Sequence, residues 1–119
     1  SKSDKTVSEL FDEMPKLVAT PEIILSAPDA VKFQIIDEIT QALQAQYEVT
    51  TLDGARAQFE HGWGLIRASN TQPAVTLRFE AYSAPQLVEY MNKFKALLDQ
   101  HPEVDQSRLI EQINRFSNR

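Results

Sequence analysis

Val49-Thr50-Thr51-Leu52-Asp53-Gly54-Ala55-Arg56-Ala57-Gln58-Phe59 is the stretch that decides the fold class. β-Prone residues run up to Asp53-Gly54, a dipeptide favoured in two-residue hairpin turns because both positions tolerate positive φ. Residues 49–52 and 55–59 therefore read as paired strands. Glu60, His61 and Gly62 give a second turn, residues 63–67 a third strand and residues 74–81 a fourth. In that last strand Val75, Leu77, Phe79 and Ala81 alternate with Thr76, Arg78 and Glu80. This is the period of a strand with one face on a core and the other wet or at a helix rim. Consecutive strands joined by hairpin turns specify an antiparallel sheet.

Helical patterns flank the sheet. Ser26, Pro28 and Asp29 read as a helix start, with proline tolerated in the first turn. Val31, Ile35, Ile39 and Leu43 line one face, supported by Phe33 and Ile36, and the helix should run to about Gln46. Before it, residues 22–26 form a short β-prone run. After the sheet, Ser83 and Gln86 make an S-x-x-Q capping box, and Leu87, Val88, Met91, Phe94 and Leu98 supply an apolar stripe that ends at His101-Pro102. Asp105 reads as the cap of a last short helix carrying Leu109, Ile110, Ile113 and Phe116, which either packs on the domain or trails as a tail. At the N-terminus, Thr6 and Glu9 form a capping box ahead of Val7, Leu10, Phe11 and Met14, and Pro15 limits that helix. Residues 17–21 read as a connector and the one hinge-like segment. The expected architecture is α+β: an antiparallel sheet of about four strands with helices on one face.

The 119 residues fit one domain with a modest core. Twelve Lys and Arg against 17 Asp and Glu leave a net charge of −5, which argues against a nucleic-acid or anionic-membrane surface. Cysteine is absent, which excludes disulfide frameworks, thiolate metal sites and cysteine nucleophiles. Two histidines, His61 and His101, leave little for a relay or a His-rich metal site. His61 reads as a turn residue and His101 as a helix-end residue. No apolar run approaches membrane-spanning length, Ser1 to Thr6 does not resemble a signal peptide, and a cytoplasmic location is the expectation. The adjacent pairs Asp12/Glu13 and Asp37/Glu38 split across a helix rather than converge, and no D-x-D-x-D run is present. The composition leaves little equipment for self-contained catalysis.

The chemically richest segment is Arg67-Ala68-Ser69-Asn70-Thr71-Gln72-Pro73. It puts a guanidinium, two hydroxyls, an amide and successive backbone N–H groups into one loop. Arginine offers a fork matched to phosphate oxygens, and loop amides can form an anion-binding nest. An ordinary polar turn explains the same composition, because Ser, Asn, Thr and Pro dominate turns for backbone reasons. Arg56 and Arg78 read as solvated strand residues, and Trp63 as packing.

Residues 53–56, 62–71, Pro73 and 77–81 together resemble the C-terminal domain of the α-D-phosphohexomutases, in their bacterial phosphomannomutase/phosphoglucomutase branch. Thr20-Pro21-Glu22-Ile23 resembles the entry into that domain. The resemblance implies a TATA-binding-protein-like α+β fold. It makes residues 1–20 the end of a preceding domain with its hinge, residues 21–100 the domain itself and residues 101–119 a helical tail. Position by position it implies that Arg67, Ser69, Asn70 and Thr71 grip the substrate's non-reacting phosphate. Gln72 stands where relatives often carry Glu, and Asn70 where phosphoglucosamine mutases carry Gly. The implied reaction interconverts hexose 1-phosphate and hexose 6-phosphate of mannose or glucose through a phosphoserine, Mg2+ and a hexose 1,6-bisphosphate intermediate. The reacting serine and the metal ligands belong to the upstream domains, so the chain alone is expected to be inactive. Its implied partners are a phosphosugar and those domains, with no nucleic acid and no membrane. The alternative is a small α+β protein- or nucleic-acid-binding module without catalysis, which would want a basic aromatic sheet face where the fourth strand offers only Arg78 beside Glu80.

Overall fold

The computed structural model describes residues 17–118. The helix expected over Val7 to Met14 lies outside the described residues. In chain order the elements are β1 (Val18–Ala19), β2 (Ile23–Ser26), α1 (Asp29–Gln44), β3 (Glu48–Thr50), β4 (Ala55–Phe59), β5 (Gly62–Ala68), β6 (Ala74–Ala81), α2 (Ala84–Leu98) and α3 (Ser107–Ser117). The strands form one six-stranded antiparallel sheet, in which β6, β5, β4 and β3 are successive neighbours. Both short N-terminal strands share the remaining edge of β6: Ile23–Ser26 pairs with its first half and Val18–Ala19 with its last residues. The α+β class expected from the sequence holds.

The connector expected at residues 17–21 is instead laced into the sheet. Proline has no N–H to give a ladder, and Pro21 falls in the gap between β1 and β2. Thr20 bridges it: its N–H donates to the Phe79 carbonyl at 3.0 Å, and its buried hydroxyl accepts from Phe79 N–H at 3.2 Å. A side chain thus completes the pairing of a buried strand, where an orphaned N–H would cost about 1–3 kcal/mol.

The turns also differ from expectation. The tight two-residue turn is Glu60-His61, closed by the Phe59–Gly62 pair, and among the described residues none except glycine has positive φ. Asp53-Gly54 sits in a wider loop, because the β3–β4 ladder closes at Thr50–Arg56. Leu52, read as a strand residue, is almost fully exposed in that loop. Gly54 has φ +75°, and a Cβ there would lie 2.3 Å from the Ile66 carbonyl oxygen and 2.5 Å from Arg67 Cβ. The missing side chain lets the β3–β4 loop lie against the end of β5.

The three helices cover one face of the sheet. Ile23, Leu25, Ala55, Ala57, Phe59, Ile66, Val75, Leu77, Phe79 and Ala81 are buried beneath them. Gly64 permits a close approach, since a Cβ there would stand 2.8 Å from Phe94 of α2. Phe94 meets Phe79 edge-on at 4.9 Å, and Phe59 stacks on Tyr90 at 4.2 Å. Helix α2 starts where Ser83 accepts from Gln86 N–H, as the capping box predicts. On α1, Ile35, Ile36, Ile39 and Leu43 are buried as expected, but Phe33 is exposed. Two residues from Ile35, it falls on the opposite side of the helix. The C-terminal helix is no loose tail. Leu109 is fully buried, α3 packs on α2 and β2, and Asp105 N–H donates to the Ser26 carbonyl at 2.9 Å.

Candidate functional site

Register places the richest polar segment at one end of the sheet. Alternation along β5 buries Ile66 and turns Arg67 to the helix-free face, opposite Thr76 of β6. Strand β5 ends at Ala68, and residues 69–73 turn the chain into β6. The Arg67 guanidinium meets a different acceptor on each nitrogen. Nε donates to Thr76 Oγ1 at 3.3 Å, Nη1 to Asp53 Oδ2 at 2.9 Å, and Nη2 stands 3.6 Å from Glu22 Oε2. The wide β3–β4 loop brings Asp53 here, and the run into β2 brings Glu22.

Within the turn, Ser69 Oγ accepts from the N–H groups of Thr71 at 3.3 Å and Gln72 at 3.2 Å. Both of those amides are therefore turned toward the Ser69 hydroxyl, within the turn itself. Two acceptor contacts leave the Ser69 O–H hydrogen available as a donor. Asn70 and Thr71 are exposed at the tip. Glu22, Ile24, Arg67, Ala68, Ser69, Asn70, Thr71, Gln72 and Thr76 line one open cleft of about 360 Å³. All four residues named from the sequence, Arg67, Ser69, Asn70 and Thr71, thus share one concavity. Its donor set (a guanidinium fork, two hydroxyls and an amide) suits a compact anion.

The turn's carbonyls point the other way. Pro73 C=O accepts from Ala27 N–H at 2.9 Å. Ser69 C=O and Gln72 C=O accept from Lys32 Nζ of α1 at 2.6 and 2.8 Å. Lys32 escaped the sequence reading, although the signal was there. It lies three, four and seven residues before Ile35, Ile36 and Ile39, on the buried stripe rather than the wet face.

None of the remaining sequence candidates lines that cleft. Trp63 donates from its indole N–H to Glu80 Oε1 at 3.0 Å, and the Arg56 guanidinium lies 4.5 Å from its ring centre. His61 closes the β4–β5 turn, with its N–H on the Tyr90 hydroxyl at 3.0 Å and its carbonyl receiving Tyr82 N–H at 3.0 Å. His101 caps the end of α2, its N–H on the Leu98 carbonyl at 2.9 Å, and its Nε2 stands 3.5 Å from Glu38 Oε1. Arg78 is exposed on the helix-free face, opposite Leu65. Among the described residues no group of three or more His, Asp or Glu side chains is placed to hold a metal ion. Among the same residues no helix is long and apolar enough to cross a membrane.

The sequence and the fold have counterparts among known proteins. Residues 7–97 match the family described as phosphoglucomutase/phosphomannomutase, C-terminal domain. A phosphomannomutase/phosphoglucomutase of Pseudomonas putida is 41% identical over 106 residues, covering 87% of this chain and 23% of that protein. A phosphoglucomutase of Neisseria gonorrhoeae is 39% identical over 100 residues, covering 80% of this chain and 21% of that protein. The crystal structure of a phosphoglucomutase/phosphomannomutase family protein from Burkholderia thailandensis superposes with a TM-score of 0.57 at 36% identity, over 78% of this chain and 19% of that one. The chain therefore spans about a quarter or less of the length of the relatives it matches. A family match across residues 7–97, with relatives 39% and 41% identical over most of the chain, shows that the chain belongs to the phosphoglucomutase/phosphomannomutase family, as its C-terminal domain.

Proposed function

We propose that the domain serves a phosphohexomutase that interconverts the 1- and 6-phosphates of a hexose, and that its turn grips whichever phosphate is not reacting. The observation that carries this reading is the single cleft at the end of β5. There Arg67, Ser69, Asn70 and Thr71 converge, while the turn's carbonyls are drawn back into the domain.

The chemistry follows from the groups present. The guanidinium can exchange its carboxylate partners for two phosphate oxygens in a bidentate pair. The Ser69 and Thr71 hydroxyls and the Asn70 amide can donate to the oxygens that remain. Such a grip reads charge and tetrahedral shape and leaves the sugar unread. Either end of a hexose 1,6-bisphosphate could then occupy it as the intermediate turns over. Phosphoryl transfer depends mainly on positioning and electrostatic stabilisation. Fixing the distal phosphate supplies positioning, and closing the domain over the sugar keeps water out. The reacting serine and the Mg2+ that would neutralise charge on the transferring group are assigned to the domains upstream of this one.

The test is a nitrogen–proton NMR titration of the chain with glucose 1-phosphate, and separately with inorganic phosphate. Shifts should concentrate at residues 67–72, with millimolar affinity, about −4 kcal/mol, because one domain supplies only part of the binding site. Arg67→Ala should abolish them without disturbing the sheet signals. An intact fold whose residues 67–72 ignore both ligands would remove the proposal.

A further inference from the structure

Lys32 is 5% exposed, whereas Lys93 and Lys95, the other lysines among the described residues, are only half-buried. Burying an ammonium costs several kcal/mol unless its hydrogens are matched. Here all three are matched. Lysine has three donors, and Nζ lies 2.6 Å from Ser69 O, 2.8 Å from Gln72 O and 2.8 Å from Asp29 Oδ1. Two of the three acceptors belong to the turn between β5 and β6. Helix α1 thus reaches across the sheet end and holds that turn from behind, at both of its shoulders. A helix could be tied to a turn by a neutral side chain, so the choice of a buried cation needs its own reason.

We propose that Lys32 is a positioning residue of the phosphate grip. Its ammonium draws the Ser69 and Gln72 carbonyls inward, which keeps the Ser69 hydroxyl and the Asn70 and Thr71 tip turned to the cleft. It also sets a full positive charge behind the turn, on the side away from Arg67. A phosphate dianion seated in the cleft would then lie between two cations, one touching it and one beneath. Asp29 offsets part of that charge, but its side chain is 68% exposed and therefore screened by solvent, whereas Lys32 is enclosed. The inference rests on the phosphate reading of the cleft and adds a second-layer residue to it.

The experiment compares the wild-type chain with Lys32→Met and Lys32→Arg by titration with inorganic phosphate. Two pH values are used, one where the monoanion dominates and one where the dianion does. Wild type should bind the dianion more tightly. Lys32→Met keeps the length and apolar stem of the side chain, and it should retain the sheet signals. It should lose about tenfold in dianion affinity, and with it most of the preference for dianion over monoanion. Lys32→Arg keeps a cation with several donors and should recover part of the preference. A turn that had merely loosened would weaken both anions equally. Equal dianion affinity in wild type and Lys32→Met would overturn the role of Lys32 and leave the phosphate reading standing. A wild-type turn that ignores phosphate altogether would overturn both. Should Lys32→Met fail to fold, the wild-type Lys32 ammonium signal decides the matter, because it should shift on phosphate addition and a silent signal would refute the role.

Discussion

Arg67 shows how much one side chain can inherit from its neighbours. Its position on the helix-free face is set by strand alternation, its reach by the end of β5, and its present partners by two loops that arrive from elsewhere. Asp53 Oδ2 at 2.9 Å and Glu22 Oε2 at 3.6 Å hold the fork that a phosphate would have to share. Arg67 and both carboxylates are well exposed, and exposed pairs contribute only about 0.2–1 kcal/mol each. They can therefore hold the fork in place without blocking a dianion. Asp53→Asn should remove one competitor and one repelling charge, raising phosphate affinity about two- to fivefold in the same titration. A fall in affinity would show instead that Asp53 orients the fork. The sequence displayed Arg67, Ser69, Asn70 and Thr71 together because they are contiguous. It could not display Glu22, Asp53 and Thr76, which become neighbours only through register and a wide loop. Lys32 lay between these cases: its place on the buried stripe was legible, but the carbonyls it serves are 37 and 40 residues away.

Elements that depend on period were legible, and elements that depend on partners were not. The stripes of α1 and α2 and the alternation of β6 follow from local geometry, with Phe33 the exception on α1. Strands β1 and β2 are too short for their own pattern to name a partner, and each is defined by the edge of β6. The Asp53-Gly54 loop is wider than a two-residue turn because a close approach of Gly54 to Ile66 and Arg67, a tertiary contact, governs it. Helix α3 illustrates the same division. Its apolar residues were visible, but not its dock against α2 and β2. Two carboxylates, Asp99 at the end of α2 and Asp105 just before α3, make that dock depend on pH. Asp99 is held below the usual aspartate range by a hydrogen bond from Gln106 at 2.8 Å and by Lys95. Asp105 is held low by the hydroxyl and then the N–H of Ser107. A depressed carboxylate adds stability above its unfolded value and loses it as the pH falls through the folded one. The α2–α3 junction should therefore be indifferent to pH near neutrality and loosen below about pH 4. Amide exchange of residues 106–110 followed against pH should show that step, and Asp105→Asn should flatten the part due to Asp105. Loosening that instead begins near pH 6 would point to a histidine and away from these two groups.

The whole molecule binds an N-terminal edge, a four-strand meander and a C-terminal helix into one core, and this has a mechanical consequence for the grip. The turn of residues 69–73 is anchored from behind by α1 through Lys32 and from the side by Ala27 N–H. Ser26, the neighbour of Ala27, receives Asp105 N–H at the entry to α3. The C-terminal segment therefore supports the β2 end on which the turn rests, although it lies outside the residues 7–97 matched to the family. If residues 101–118 were an independent tail, damage there would leave the rest of the domain unmoved. If they share the core, damage there must lower the stability of everything. Leu109→Ala tests this, because Leu109 is fully buried and such truncations cost about 2–5 kcal/mol. In a domain of this size each kcal/mol lowers the melting temperature by roughly 4–8 °C. The variant should therefore melt at least about 8 °C below wild type. Trp63 is the only tryptophan, and it sits on β5 on the helix-free face, away from the mutation. Its fluorescence and the far-ultraviolet circular dichroism should drop together in one transition, since a single cooperative unit unfolds all at once. A Trp63 transition that stays at the wild-type temperature while helical signal is lost earlier would separate α3 from the core. It would also free the turn of residues 69–73 from any dependence on the C-terminal helix.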